Sequence, residues 1–148
     1  MLLSLISQGG DMFKHRFYAY FSETDMAGIV HFSNFLRYVE KAEEEFIRSL
    51  GKSFYDIIKS GYGFPRLEVK CRYLSPIRCG DEVEVRLRVG EVKSKTLRYD
   101  FEIYNLTTDK KAAEGYLVVI YMDLKNWKVL EIPKEFIEQL KEVGMVKK

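Results

Sequence analysis

Residues 34–50 place Phe35, Tyr38, Val39, Ala42, Phe46, Ile47 and Leu50 at helical spacing, which marks one long helix with a single buried face. That face must be covered, and the rest of the chain supplies mostly strands to cover it. Residues 82–89 alternate strictly, with Val83, Val85, Leu87 and Val89 facing one way and Glu82, Glu84, Arg86 and Arg88 the other. Leu97, Tyr99, Phe101 and Ile103 repeat the pattern against Arg98, Asp100 and Glu102. A period of two belongs to half-buried antiparallel strands. Residues 112–122 are more continuously apolar and so lie deeper. The order is strand, long helix, then a run of antiparallel strands: an α+β architecture with the helix laid on one sheet face.

The remaining segments fit around this plan. Residues 13–22 interleave aromatic and basic side chains and read as the first strand. Residues 53–60 give a short helix, Gly61, Gly63 and Pro65 punctuate the turn that follows, and residues 66–74 alternate up to Ser75-Pro76. Asn126-Trp127-Lys128 turns the chain, residues 129–132 form a short last strand, and Pro133 opens a C-terminal helix through Val143. Glu43, Glu44 and Glu45 are consecutive, cannot share one helical face, and are expected on a mostly solvated side. At 148 residues the simplest organisation is one domain over 1–148. Residues 1–11 stand apart as a disordered lead or an upstream start, because the strand pattern begins only after Met12.

Between the first strand and the long helix lies a tight turn, T-D-M-A-G, with Asp25 in it and Ser33 or Asn34 placed to cap the helix. A carboxylate just before a helix start, beside unpaired amides able to hold an oxyanion, suits acyl transfer. An ordinary turn looks the same.

The block E-T-D-x-x-G-I-V-x-F-x-N-F-L-R-Y resembles the signature of the hotdog-fold acyl-CoA thioesterases. The branch in question is typified by 4-hydroxybenzoyl-CoA thioesterase and the envelope-associated acyl-CoA thioesterases. Its Asp, Gly, Ile-Val and Asn match in register, and the likeness extends through G-F-P-R-L-E-V-K-C-R-Y-L-S-P-I-R-C-G-D-E-V-E-V. The resemblance implies a hotdog fold, an antiparallel sheet wrapped around a central helix, and hydrolysis of an acyl-CoA to free acid and CoA. It makes Asp25 the nucleophile or general base. Gly28, Ile29, Val30, His31 and Phe32 become the oxyanion and substrate-binding stretch, with the Phe32 amide polarising the carbonyl. Gly63 resembles a glycine whose amide is contributed by the partner subunit, and Lys93, Ser94, Lys95 and Thr96 resemble the turn that contacts the CoA phosphates. The family histidine is replaced here by Phe32, with His31 one place earlier, about 100° round a helix start, which weakens any Asp–His dyad. A homodimer with sheets joined, or a homotetramer of two such dimers, is also implied.

Other chemistries find little footing. No C-x-x-C or H-x-x-x-H spacing joins His15, His31, Cys71 and Cys79, so no metal site is expected. There is no G-x-S-x-G elbow and no Rossmann or P-loop glycine pattern. No cofactor is expected beyond the coenzyme A of the substrate. A net charge of +2 gives no general nucleic-acid signal, and the apolar stretch at residues 2–6 is too short for a membrane span. Two cysteines fit a reducing, cytoplasmic setting. Two rival classes stay open: a hotdog thioesterase acting on acyl carrier protein, and a non-catalytic acyl-CoA-binding hotdog protein.

Overall fold

The computed structural model describes residues 12–145, so the expected lead at residues 1–11 lies outside the described residues. Strand β1 (Phe13–Tyr18) is followed by a 3-10 turn (Phe21–Glu23), helix α1 (Phe32–Ser49) and helix α2 (Phe54–Ser60). Then come β2 (Tyr62–Gly63), β3 (Arg66–Tyr73), β4 (Glu82–Val92), β5 (Thr96–Asn105), β6 (Lys110–Ile120), β7 (Met122–Asp123), β8 (Lys128–Val129) and helix α3 (Lys134–Glu142). The main sheet is antiparallel in the order β1-β4-β5-β6-β3, and a small second sheet runs β2-β7-β8.

Helix α1 lies on one face of the main sheet. Its Tyr38, Val39, Ala42, Phe46 and Ile47 are buried with Val83, Val85, Leu87, Leu97, Tyr99, Phe101 and Ile103 from the strands. Each of these large side chains contributes about 1.5–3 kcal/mol on burial, so the periodic pattern of the two elements decides the packing. The Phe46 ring meets Phe13 at 5.5 Å and Tyr99 at 6.4 Å, which pins the middle of the helix over the sheet.

Several expectations change in detail. The first strand ends at Tyr18 rather than near residue 22, because the chain from Tyr20 folds back toward the helix. Strand β4 runs past the alternating block to Val92, and its register shifts between Val89 and Glu91. Gly90 is the extra residue at that shift, and a Cβ there would collide with the Asp100 carboxylate as it lies across the strand.

Two glutamates are buried where an exposed face was expected. Glu84 is 1% exposed, with Oε1 accepting from Arg16 at 2.8 Å and Oε2 from Arg86 at 2.7 Å. Glu43 is 3% exposed and pairs through both oxygens with the Arg66 guanidinium from β3. Glu44 and Glu45 do take the open face, both reaching Arg48. A buried carboxylate needs such partners, and no single-element pattern reveals them.

Candidate functional site

After Tyr18 the chain leaves the sheet, with the Ala19 amide donating to the Asp81 carbonyl at 2.9 Å and the Gly80 amide to the Ala19 carbonyl at 2.8 Å. Residues 24–30 then close a miniature hairpin through a Thr24–Val30 bridge. The Asp25 amide donates to the Ile29 carbonyl at 2.9 Å and the Gly28 amide to the Asp25 carbonyl at 3.0 Å. Gly28 has φ of +78°, a left-handed turn conformation that other residues adopt at a cost. On the far side the Val30 amide is held by the Ile77 carbonyl at 2.7 Å, and Val30 is buried. The hairpin is therefore anchored at its base while its tip stands in solvent.

Asp25 is exposed on that tip. Its Oδ1 accepts the Ala27 amide at 2.8 Å, an Asx turn that fixes the carboxylate, while Oδ2 has no partner among the described residues. This is the local turn contact a bland reading predicts, and it occupies one oxygen only.

The helix begins two residues earlier than its hydrophobic pattern, and its N-cap is His31 rather than Ser33 or Asn34. The His31 Nδ1 accepts the Ser33 amide at 3.2 Å and lies 2.8 Å from the Ser33 hydroxyl. Asn34 turns its side-chain amide onto the Glu23 carbonyl at 2.8 Å. The Phe32 ring is 63% exposed, and the Phe32 carbonyl accepts the Tyr73 hydroxyl at 3.0 Å, tying the helix start to the end of β3. The Phe32 amide, first in the helix, has no acceptor among the described residues. It adds to the partial positive charge of the helix start and can receive a developing oxyanion.

One chain brings together Asp25, Gly28, Ile29, Val30, His31 and Phe32, but not the other expected residues. Gly63 lies in β2, where a Cβ would meet Leu124 at 3.0 Å, beside a 280 Å³ cavity also lined by Glu43 and Ile47. At about 1.5 Å per helical residue, that is about 16 Å along α1 from Phe32. Lys93, Ser94, Lys95 and Thr96 join β4 to β5, closed by a Lys93 amide to Thr96 carbonyl bond of 2.9 Å. They sit at the far end of β4 from Asp81, about 35 Å away at about 3.3 Å per strand residue. Both distant groups share one end of the sheet. The Pro65 carbonyl accepts the Ile120 amide at 3.0 Å, and the Lys95 carbonyl accepts the Tyr121 amide at 2.9 Å.

Sequence reasoning passed over Glu23, Tyr38 and Tyr73. Tyr38 reads as core by its spacing, and it is 0% exposed, yet its hydroxyl donates to Glu23 Oε1 at 2.8 Å. Burial raises the Tyr38 pKa first, and the Glu23 carboxylate adds to it, so the phenol stays a protonated donor. Burial likewise pushes the Tyr73 phenol up to about 12, with Cys71 adding to the shift. The adjacency of Glu23 to Asp25 in the E-T-D block was the available signal. Among the described residues no group of three or more His, Cys, Asp or Glu is arranged to hold a metal ion. No described helix is long and apolar enough to cross a membrane.

Comparison with known proteins places these features in company. The family model described as the thioesterase-like superfamily matches residues 20–140. A protein of Aquifex aeolicus (strain VF5) is 34% identical over 124 residues, covering 82% of this chain and 92% of that one. A 1,4-dihydroxy-2-naphthoyl-CoA hydrolase of Thermosynechococcus vestitus is 31% identical over 94 residues, covering 63% of this chain and 64% of that enzyme's length. The solved structure of a gentisyl-coenzyme A thioesterase superposes with a TM-score of 0.77 at 26% identity, covering 84% of this chain and 98% of that one.

Proposed function

The chain belongs to the thioesterase-like superfamily, has its hotdog fold and is a thioester hydrolase; from that premise we propose that it hydrolyses an acyl-CoA with Asp25 as the reacting carboxylate. The observation that carries this is the placement of Asp25, with Oδ2 unpartnered among the described residues, on a hairpin anchored beside the unpaired Phe32 amide. Two routes are open to the carboxylate. As a general base, Asp25 takes a proton from water while the oxygen adds to the thioester carbonyl carbon. The C–S bond then breaks and the proton passes to the departing CoA thiolate. As a nucleophile, Oδ2 attacks the carbonyl, CoA thiolate leaves, and water opens the resulting anhydride to regenerate the carboxylate. Either way the carbonyl oxygen becomes an anion, and the Phe32 amide is placed to hold it, a contact worth about 3 kcal/mol when well aligned. The mechanism asks for no metal or redox group.

The separation of Gly63 and the Lys93, Ser94, Lys95 and Thr96 turn from Asp25 supports a site shared between two copies. Strand β3 is an edge of the sheet, with Leu67 and Val69 exposed at 59% and 47%, and Val69 lines a cavity with Leu36 of α1. Arg66 opens β3 near Gly63, and Tyr73 closes it on the Phe32 carbonyl. Antiparallel pairing of β3 with its copy about a two-fold axis carries each chain's Gly63 end to the other's Phe32 end. The partner subunit's Gly63 then stands near the Phe32 amide, its own amide turned to Met122 in the β2–β7 pairing, and the partner's turn at 93–96 faces the CoA phosphates.

The test is thiol release from a panel of short, long and aromatic acyl-CoAs by wild type and Asp25→Asn. That substitution keeps shape and removes charge, and the expected loss in kcat is about 10²–10⁴-fold. Equal turnover by the two proteins would remove Asp25 from the reaction. Absence of thiol release from every acyl-CoA by wild type would point to the binding-module alternative.

A further inference from the structure

Four hydrogen bonds are donated to Glu23, a residue with no expected chemistry. Its Oε1 accepts the Tyr20 amide at 2.7 Å and the Tyr38 hydroxyl at 2.8 Å, and its carbonyl accepts the His31 amide at 2.9 Å and the Asn34 side chain at 2.8 Å. We infer that Glu23 is a positioning residue, which clamps the Asp25 hairpin to helix α1 and so sets the carboxylate against the Phe32 amide. The inference rests on the reading of Asp25 as the reacting group.

The geometry explains why two attachments are needed. Asn34 and Tyr38 are four residues apart on one helical face, so the carbonyl and carboxylate of Glu23 span about one turn, about 6 Å of helix. A single contact leaves a free rotation, whereas two contacts a turn apart remove it. The anchor itself is firm, since Tyr38 is 0% exposed and packed edge-on against Phe17 at 4.7 Å. From Glu23 the chain reaches Asp25 through Thr24 alone, whose hydroxyl donates to the Phe21 carbonyl at 2.7 Å. The opposite limb of the hairpin is tied separately, through Val30 to Ile77. Without the side-chain half of the clamp, the limb that carries the carboxylate is held only by the Glu23 carbonyl and by the Asp25 amide to Ile29 carbonyl bond, so the carboxylate gains freedom. Misplacement by about 1 Å is enough to slow a reaction about 10²-fold.

The test uses the whole protein and its acyl-CoA thiol-release assay. Glu23→Ala removes the side-chain contacts and is expected to lower kcat about 10–100-fold with KM within about twofold, because substrate contacts are untouched. Glu23→Gln keeps an oxygen that accepts from both the Tyr20 amide and the Tyr38 hydroxyl, and it should hold kcat within about threefold of wild type. Tyr38→Phe should fall between them. In the Asp25→Asn background, Glu23→Ala should add little further loss, since a clamp has nothing left to position. A Glu23→Gln as slow as Glu23→Ala would assign the role to charge and overturn the inference, and so would a full-rate Glu23→Ala. Hydrogen exchange of the Asp25 and His31 amides gives a second readout that needs no turnover. Glu23→Ala should speed it at least about tenfold, and unchanged exchange would overturn the clamp by itself. Failure of the Asp25 reading looks different: wild type and Asp25→Asn would turn over equally, whatever the exchange data show.

Discussion

Gly28 separates two roles that coincide in the motif, as turn former and as the point of close substrate approach. Its φ of +78° is left-handed, but a Cβ built on it meets nothing within 4 Å. The penalty for a side chain is then backbone conformation alone, about 1–2 kcal/mol for alanine and less for asparagine, which tolerates that region. Thermal unfolding should show Gly28→Ala destabilised by that amount and Gly28→Asn by clearly less. If the glycine also admits substrate, Gly28→Asn will be stable but slow in kcat/KM. If it is a turn residue only, the asparagine variant will turn over like wild type. At this scale the sequence was partly legible. Asp25 and Gly28 stood out because a turn concentrates Asp and Gly, and the block around them is specific. The cap was not legible: a hydrophobic pattern marks the buried face of a helix, and His31 to Asn34 precede that face. Glu23 and Tyr38 escaped because their partnership crosses 15 residues and two elements.

Elements were the most legible layer, since the alternation in β4 and β5 and the helical spacing in α1 each follow from one buried face. Glu84 is where that logic fails, and it yields a measurable consequence. In strand β4 its position predicts solvent, yet it is buried between Arg16, which is 63% exposed, and Arg86, which is 27% exposed. Burial by itself would raise the carboxyl, but hydrogen bonds from Arg16 and then Arg86 outweigh it, so the group lies below its ordinary value of 4.5. The folded protein thus binds this proton less readily than the unfolded chain does. The resulting stability is present in full above about pH 4.5 and is lost as pH falls through the lower folded value. Glu84→Gln should cost about 1–2 kcal/mol at neutral pH, reduced from the figure for buried charged hydrogen bonds because solvent screens the Arg16 end. Its denaturant midpoint should also fall less steeply than that of wild type between pH 5 and pH 3, about where carboxylates titrate. Parallel acid profiles for the two proteins would show that the pair holds no differential charge energy.

At the scale of the whole molecule, what one chain lacks is informative. The resemblance put Asp25, the partner subunit's Gly63 and the Lys93, Ser94, Lys95 and Thr96 turn into one site, and a single chain places its own Gly63 and turn at the opposite end of the sheet from Asp25. No periodicity can reveal that, because it concerns which end of an antiparallel strand a residue falls on and what stands beyond the edge of β3. If two copies join along β3, each site takes its carboxylate from one chain and its phosphate contacts from the other. Defects in the two halves must then complement. Asp25→Asn has a sound turn, and Lys93→Glu combined with Lys95→Glu has a sound carboxylate, so each variant alone is expected to be nearly inactive at substrate levels below KM. Refolded together in equal amounts, half the dimers become hybrids, and every hybrid contains one site with both defects and one with neither. Thiol release should therefore recover to about a quarter of the wild-type value, the share set by two-fold symmetry with random pairing. Were each site built within one chain, every site in a hybrid would still carry one defect and mixing would restore nothing. Hybrid formation is checked by charge, because the turn variant differs by four units from wild type per chain on replacing two lysines with two glutamates, and the hybrid must migrate between the two parents.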